Sequence, residues 1–259
     1  MKKEEKKKKG DDKKEEVKEE VVVVKKTTAK KPAPKKAKKK DWSAVYEANK
    51  SYSLNEALEI LKKITTTKFD ASVEAHFRLG INPKKGDQQV RSAVSLPHGT
   101  GKAVRVAAFV SPANEKEVKE AGADLVGGEE LIEKIKKSEK TDFEVAVAEP
   151  AMMRQLAAIA KILGTRGLMP SPKNETVTPN VAQAVSELKK GKVSYKNDET
   201  ANVHCLIGKV SFSSEQLADN YKSLLDSLRK GKPSSAKGTY IKSAFICSSM
   251  SPSIKITVA

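Results

Sequence analysis

Cysteine is scarce in this 259-residue chain, with only Cys205 and Cys247 present. Two cysteines make no disulfide framework, and neither stands in the paired Cys/His spacing of a zinc motif. Both read as reduced, buried thiols. Long apolar runs are also missing. The longest near the N-terminus, Val21 to Val24, is short beside the roughly 18 residues a membrane span needs, which excludes insertion in a bilayer. The same shortage leaves no secretory signal. Residues 1–40 hold acids and no arginine, unlike an organelle transit peptide, so a cytoplasmic protein is expected. Aromatics are 5 % of the chain, and acids number 33 against 50 Lys and Arg, a net charge of +17. That imbalance points to a polyanion partner. It is uneven, because residues 1–40 carry 18 Lys and 8 acids, a net of +10, leaving +7 for the remainder.

Low-complexity Lys, Glu, Ala, Pro and Val over residues 1–40 offer too little apolar surface to offset the entropy of ordering, which predicts a disordered tail. Beyond Asp41 the pattern changes. Ser53, three residues before Glu56 and followed by Leu58, Leu61 and Ile64, predicts a capped amphipathic helix. Ser72–Leu79 and Gln88–Leu96 read as strands, and the turn-rich Asn82–Gly86 between them is of the kind that joins antiparallel neighbours.

Further on, the apolar runs Val104–Val110, Asp124–Val126 and Phe143–Ala148 alternate with helical stretches at 115–121 and 129–137. This is the β/α rhythm of a parallel sheet. Ala151–Leu163 predicts another helix, and so does a stretch from Thr178-Pro179 to Lys190-Gly191, with Pro just inside its start and Gly at its end. After Gly191 come strands at 203–207, 240–246 and 254–258, and a helix with Leu217, Tyr221, Leu224, Leu225 and Leu228 on one face. Neither flank suffices as a domain. The economical reading is an α+β domain built from residues 41–100 and 191–259, interrupted by an inserted three-layer, Rossmann-like α/β domain at 101–190.

Catalytic motifs are weak. Pro97-His98-Gly99-Thr100-Gly101-Lys102 resembles a phosphate loop, but Leu96 occupies the place of its first glycine and Ala103 that of the magnesium-binding hydroxyl. It reads as a domain connection. His76, His98 and His204 lack metal-motif spacing, and His76 and His204 fall within predicted strands as structural residues, so no metal and no cofactor is expected. The segment from Leu163 to Lys173 is a rigid basic loop. Its Arg166 and Lys173 either face phosphates as a secondary RNA contact or belong to a surface loop packed on its own domain.

Several words stand in order along residues 42–258: Lys68-Phe69-Asp70, Ser72-Val73-Glu74, Leu79-Gly80-Ile81, Asp87-Gln88 with Val90-Arg91, Ser95 to Gly99 with Gly101-Lys102, and Ala121 to Asp124. Later come Gly164 with Arg166 to Pro170, Gly208-Lys209 with Ser211-Phe212, and Met250 with Pro252. With these residues the chain resembles the universal large-subunit ribosomal protein L-one family, the protein of the ribosome's mobile lateral stalk. The resemblance implies the interrupted two-domain fold and no enzymatic activity. It also implies binding of large-subunit ribosomal RNA, help in releasing deacylated transfer RNA from the exit site, repression through the protein's own messenger RNA, and a monomer when free of the ribosome.

Carried over position by position, the resemblance places RNA contacts at Lys68, Phe69, Ser72 and Glu74 and at Ser243, Ser249, Met250 and Ser251. Lys68 would neutralise phosphate, Phe69 and Met250 would pack on sugars or a base, and the hydroxyls and carboxylate would meet 2′-hydroxyls. Ser251 stands where the family usually has Gly, and Thr165 and Ser171 replace a usual Pro and Asn. Residues 1–40 have no family counterpart and would either add nonspecific RNA affinity or be a solvated tail without function. Two readings from other classes remain, a nonribosomal RNA chaperone and a nucleotide-binding α/β enzyme.

Overall fold

The structure, a computed structural model, describes Trp42, Tyr46, Glu47 and residues 50–258, so the expectation of a disordered tail over residues 1–40 lies outside the described residues. Helix α1 (Leu54–Ile64) begins where expected. The Ser53 hydroxyl accepts from the Glu56 N–H while the Glu56 carboxylate accepts from the Ser53 N–H. Strand β1 (Ser72–Leu79) alternates, burying Val73, Ala75, Phe77 and Leu79 and leaving Ser72, Glu74, His76 and Arg78 on the other face. After β2 (Arg91–Ser95) the chain forms β3 (Val106–Phe109), α2 (Glu115–Glu120), β4 (Leu125–Gly127), α3 (Glu129–Ser138) and β5 (Val145–Ala148). Then follow α4 (Met153–Leu156), α5 (Ala160–Thr165), α6 (Val181–Lys190), β6 (Lys192–Lys196), β7 (Asn202–Lys209), α7 (Ser214–Lys230), β8 (Ile241–Ser248) and β9 (Ile254–Ile256).

These strands form an antiparallel four-stranded sheet ordered β7-β1-β8-β9, a parallel three-stranded sheet ordered β4-β3-β5, and a two-stranded ribbon of β2 with β6. Helices α1 and α7 pack on one face of the antiparallel sheet, joining Leu58, Leu61, Leu217, Tyr221 and Leu224 to Val73, Phe77, Val203 and Ile246 in one core. Phe77 stacks on Tyr221 with ring centroids 5.5 Å apart. The parallel sheet is covered on both faces. Val106, Ala108 and Val110 meet Val118 of α2 and Val181, Val185 and Leu188 of α6, whereas Ala107 and Phe109 meet Ile132 and Ile135 of α3 together with Leu156, Ile159 and Leu163.

Three local expectations need correction. Strands β1 and β2 are not partners, because β7 and β8 occupy both edges of β1 and β2 pairs instead with β6. Pro179 lies before the Asn180 N-cap of α6, outside the helix. The helix expected over Ala151–Leu163 is broken into α4 and α5 by short 3₁₀ turns, with Ile159 at φ −112° and ψ 10°. Its apolar face is kept, since Met152, Leu156, Ile159 and Leu163 all enter the core.

Two connecting strands of chain cross tightly beside the β2–β6 ribbon. Gly191 has φ +110°, and a Cβ there would stand 2.4 Å from Gly99 Cα, so only glycine permits this approach. Asn220 of α7, fully buried, clamps the crossing. Its amide donates to the carbonyls of Gly99 (2.9 Å) and Ile207 (2.7 Å) and its oxygen accepts from the His98 N–H (3.1 Å). The segment that resembled a phosphate loop is thus occupied in holding two passes of chain together.

Candidate nucleic-acid interface

Pairing of β1 with β8 assembles the candidate surface. Val73 faces Ser248, and just beyond the last pair the Ser249 N–H donates to the Ser72 carbonyl at 3.0 Å while the Ser249 hydroxyl accepts from the Ser72 N–H at 3.3 Å. The segment before β1 and the turn after β8 are therefore fixed side by side. Lys68 is exposed there, and Phe69 and Met250 are 59 % and 88 % exposed, the two large apolar side chains left outside the core among the described residues. Met250 sits at φ +64°, a conformation that costs a non-glycine residue roughly 1–2 kcal/mol. Such an apolar side chain held outward on a strained turn is a feature to explain by function.

Beneath Met250 the turn is braced by hydroxyls. Ser248 is buried, and its Oγ lies 2.6 Å from Thr65 Oγ1 and 2.8 Å from Ser251 Oγ. The Ser251 hydroxyl also accepts from the Ser248 N–H at 3.0 Å. The Ser251 side chain thus points into the turn, where its hydroxyl has a structural task. On the β1 side the register slips by one residue against β7 between Val73 and Glu74, a bulge of the kind that re-aims neighbouring side chains.

Glu74 lies on the face of the sheet that the described residues leave uncovered, opposite Cys247, with Ser243 on the same face at the far end, opposite Arg78. Of the residues expected to contact RNA, Lys68, Phe69, Ser72, Glu74, Ser249, Met250 and Ser251 therefore cluster, and Ser243 stands off along the strand. Arg166 closes α5, whereas Lys173 lies in the short 3₁₀ turn at 172–174 that packs against β2 of the ribbon. Both are exposed, and the Arg166 guanidinium donates to Thr141 Oγ1 and to the Glu139 carbonyl, tying it to its own surroundings.

Sequence reasoning missed Lys209. Its amine donates to the Asp70 carbonyl and to Ser72 Oγ, both at 3.3 Å, so a second cation stands beside Lys68's segment. Asp70 in turn accepts from the Ser211 N–H and hydroxyl, which fixes the bend that carries Phe69. Lys209 stood in the sequence only as part of the Gly208-Lys209 word, and its place beside Ser72 comes from register, a pairing between residues 137 positions apart.

On the uncovered face His76 adjoins both Cys247 and His204. Burial and then the facing His204 imidazole pull His76 below its ordinary pKa, against the opposing pull of Glu74. Burial, then the Glu74 charge, push the Cys247 thiol up. Cys205 points into the core, where burial pushes its thiol up to about 12. Cys205 is buried as expected of it, whereas Cys247 is half-buried.

Comparison with known proteins places the chain itself. Residues 61–252 match the Ribosomal protein L1p/L10e family. The chain is 51 % identical over 210 residues to the large ribosomal subunit protein uL1 of Mycoplasma capricolum, covering 81 % of this chain and 92 % of that one. It is 53 % identical over the same length to the uL1 protein of Bacteroides fragilis and 52 % to that of Porphyromonas gingivalis, covering 90 % of each. A family match over most of the chain, and relatives at this identity along nearly their whole length, place the chain in the Ribosomal protein L1p/L10e family.

Proposed function

We propose that this protein, a structural and non-catalytic member of its family, is a constituent of the large ribosomal subunit. In this reading it docks on a folded element of ribosomal RNA through the surface around Lys68, Phe69, Ser72, Glu74, Ser249, Met250 and Ser251, with Ser243 at its margin. The observation that carries the reading is the pairing of Phe69 and Met250, both exposed, on segments locked together by Ser72 and Ser249. Folded RNA offers sugars, phosphates and 2′-hydroxyls to such a surface, and Lys68 and Lys209 supply cations for its phosphates. Arg166 and Lys173 form a secondary contact.

The same reading divides the chain into a terminal domain (41–100 with 191–259) and an inserted domain (101–190). It is supported by separate cores and by the contact between Gly99 and Gly191, where the insertion leaves and returns. The terminal domain is the RNA-binding unit. In the cytoplasmic ribosome the protein serves the lateral stalk and the release of deacylated transfer RNA, and a similar fold in its own messenger RNA recruits it as a repressor.

The test is a titration of a large-subunit RNA fragment and an unrelated RNA with the protein and with a chain in which a short linker replaces residues 101–190. Discrimination between the two RNAs by both proteins is expected. Loss of discrimination in a shortened chain that circular dichroism shows to be folded would move the main site into 101–190.

A further inference from the structure

The uncovered face of the antiparallel sheet gathers three kinds of metal-ligating atom. Glu74 and His76 are two residues apart on β1 and share a face, and Cys247 stands on β8 directly opposite Glu74. The His76 Nε2 is 3.0 Å from Cys247 Sγ and 3.9 Å from Glu74 Oε2, and the three ligand atoms all lie within 4.8 Å of one another. We propose that Glu74, His76 and Cys247 form a site for a divalent transition metal of the zinc class, with a coordination position left open for water. This departs from the expectation drawn from spacing along the chain, which cannot register ligands brought together across strands.

Donor chemistry favours zinc over magnesium or calcium. A thiolate and an imidazole are soft and borderline ligands, whereas the hard cations take oxygen. The dimensions agree as well. With Zn–S about 2.3 Å, and Zn–N and Zn–O near 2.0–2.2 Å, tetrahedral ligand atoms stand roughly 3.4–3.6 Å apart. Two of the separations, 3.0 and 3.9 Å, fall on either side of that range and the third is within 4.8 Å, so side-chain adjustment of roughly 1 Å would seat an ion. One side is accessible, His76 and Glu74 side chains being 23 % and 46 % exposed, which provides an entry path and room for water.

An independent observation comes from the other side of the imidazole. His76 Nδ1 is 2.7 Å from His204 Nδ1, and His204 Nε2 is 3.7 Å from Asp198 Oδ2. If His76 donates its Nδ1–H to His204, its Nε2 is bare and aimed at Cys247 and Glu74. A metal-bound histidine almost always donates its second ring N–H to an acceptor, commonly a carboxylate, carbonyl or water, which sets its tautomer and orientation, and the His204 ring nitrogen is placed to be that acceptor. The rival account is a hydrogen bond from the Cys247 thiol to His76 with no metal affinity. That account leaves the approach of Glu74 and the relay through His204 without a role.

The full-length protein, free of RNA and titrated with cobalt(II) and then zinc(II), tests the site; Glu74 is shared with the proposed RNA surface, but failure to bind metal leaves the RNA reading, which needs no ion, intact. The expected result is one cobalt per chain, a near-ultraviolet thiolate-to-cobalt charge-transfer band, and loss of that band as zinc displaces cobalt. Cys247→Ala and His76→Ala abolish the band, Cys205→Ala keeps it, and His204→Ala weakens affinity about 10–100-fold. Circular dichroism checks the fold of each variant. In the unmodified protein, zinc also slows alkylation of Cys247, read by mass spectrometry of its peptide. No charge-transfer band at excess cobalt, a band that survives in folded Cys247→Ala, or alkylation of Cys247 indifferent to zinc would each overturn the assignment.

Discussion

The parallel sheet of β4, β3 and β5 is buried between helices on both faces, whereas among the described residues the antiparallel sheet of β7, β1, β8 and β9 has helices on one face only. The difference is written in the strands. All of Val106–Phe109 in β3 is buried, while β1 buries every second residue. A sheet enclosed on both faces has its side chains occupied in packing. A sheet with a free face can present Glu74, Ser243, His76 and Cys247 to a partner without weakening its core, and the candidate functional residues other than Arg166 and Lys173 lie on that face or at its end.

Removing one phenylalanine from each region tests this contrast most strongly. Phe109 is fully buried and meets Phe143 edge-on at 6.3 Å between centroids, so Phe109→Ala should cost about 3–5 kcal/mol of stability. RNA affinity of the molecules that stay folded should not change. Phe69→Ala, at an exposed position, should shift stability by less than about 0.5 kcal/mol yet cost about 1–3 kcal/mol of specific RNA affinity, and Met250→Ala should behave likewise. Denaturant melts and RNA titrations measure both. A Phe69 variant as unstable as the Phe109 variant would place Phe69 among packing residues and dissolve the contrast.

Smaller effects sharpen the picture of the free edge. Ser251→Gly removes the hydroxyl that accepts from the Ser248 N–H and touches the buried Ser248 Oγ, so a loss of about 1–2 kcal/mol in stability is expected. An unchanged melting temperature would mean that water replaces the hydroxyl freely. Removing residues 1–40 takes away +10 of the +17 charge. Nonspecific RNA affinity should fall and its salt dependence flatten, with discrimination between RNAs retained, because counterion release scales with the phosphates neutralised. Discrimination lost with the tail would shift recognition away from the sheet.

Local signals in the sequence carried well where the physics is local. The capping box at Ser53, the alternation from Ser72 to Leu79 and the apolar stripe of α7 predicted elements that the structure contains. Ribbon strand β6 went unread because Lys192–Lys196 offers five residues with lysine at both ends, and it is a strand only through pairing with β2. The candidate RNA surface was legible by resemblance, not by residue type, since an exposed Phe or Met looks in sequence like a core residue. Asn220, Lys209 and the His76–Cys247 contact depend on partners more than 100 residues away, beyond what periodicity or motif spacing can register.

The smallest expected effect concerns the turn that leads from the β2–β6 ribbon into the antiparallel sheet. Asp198 accepts from the N–H groups of Thr200 (2.9 Å) and Asn202 (2.6 Å) and from the Thr200 hydroxyl (2.7 Å). Burial opposes its ionisation, but these hydrogen bonds outweigh it and hold the carboxyl at about 2, below the usual 3.8. A depressed carboxyl stabilises the fold fully above its unfolded value, and that contribution drains away as pH falls from 3.8 through about 2. Asp198→Asn keeps an oxygen for the two N–H groups and removes the titration. Its melting temperature should therefore fall less steeply than the native protein's across that acid window, while the two curves run parallel at higher pH. Some slope should remain, because a hydrogen bond from Lys189 holds Asp124 below its ordinary value and one from Lys192 holds Glu187 down in the same way. Calorimetry across the window measures the difference, and superimposable acid limbs would show that the turn's hydrogen bonds do not distinguish the carboxylate from its neutral form.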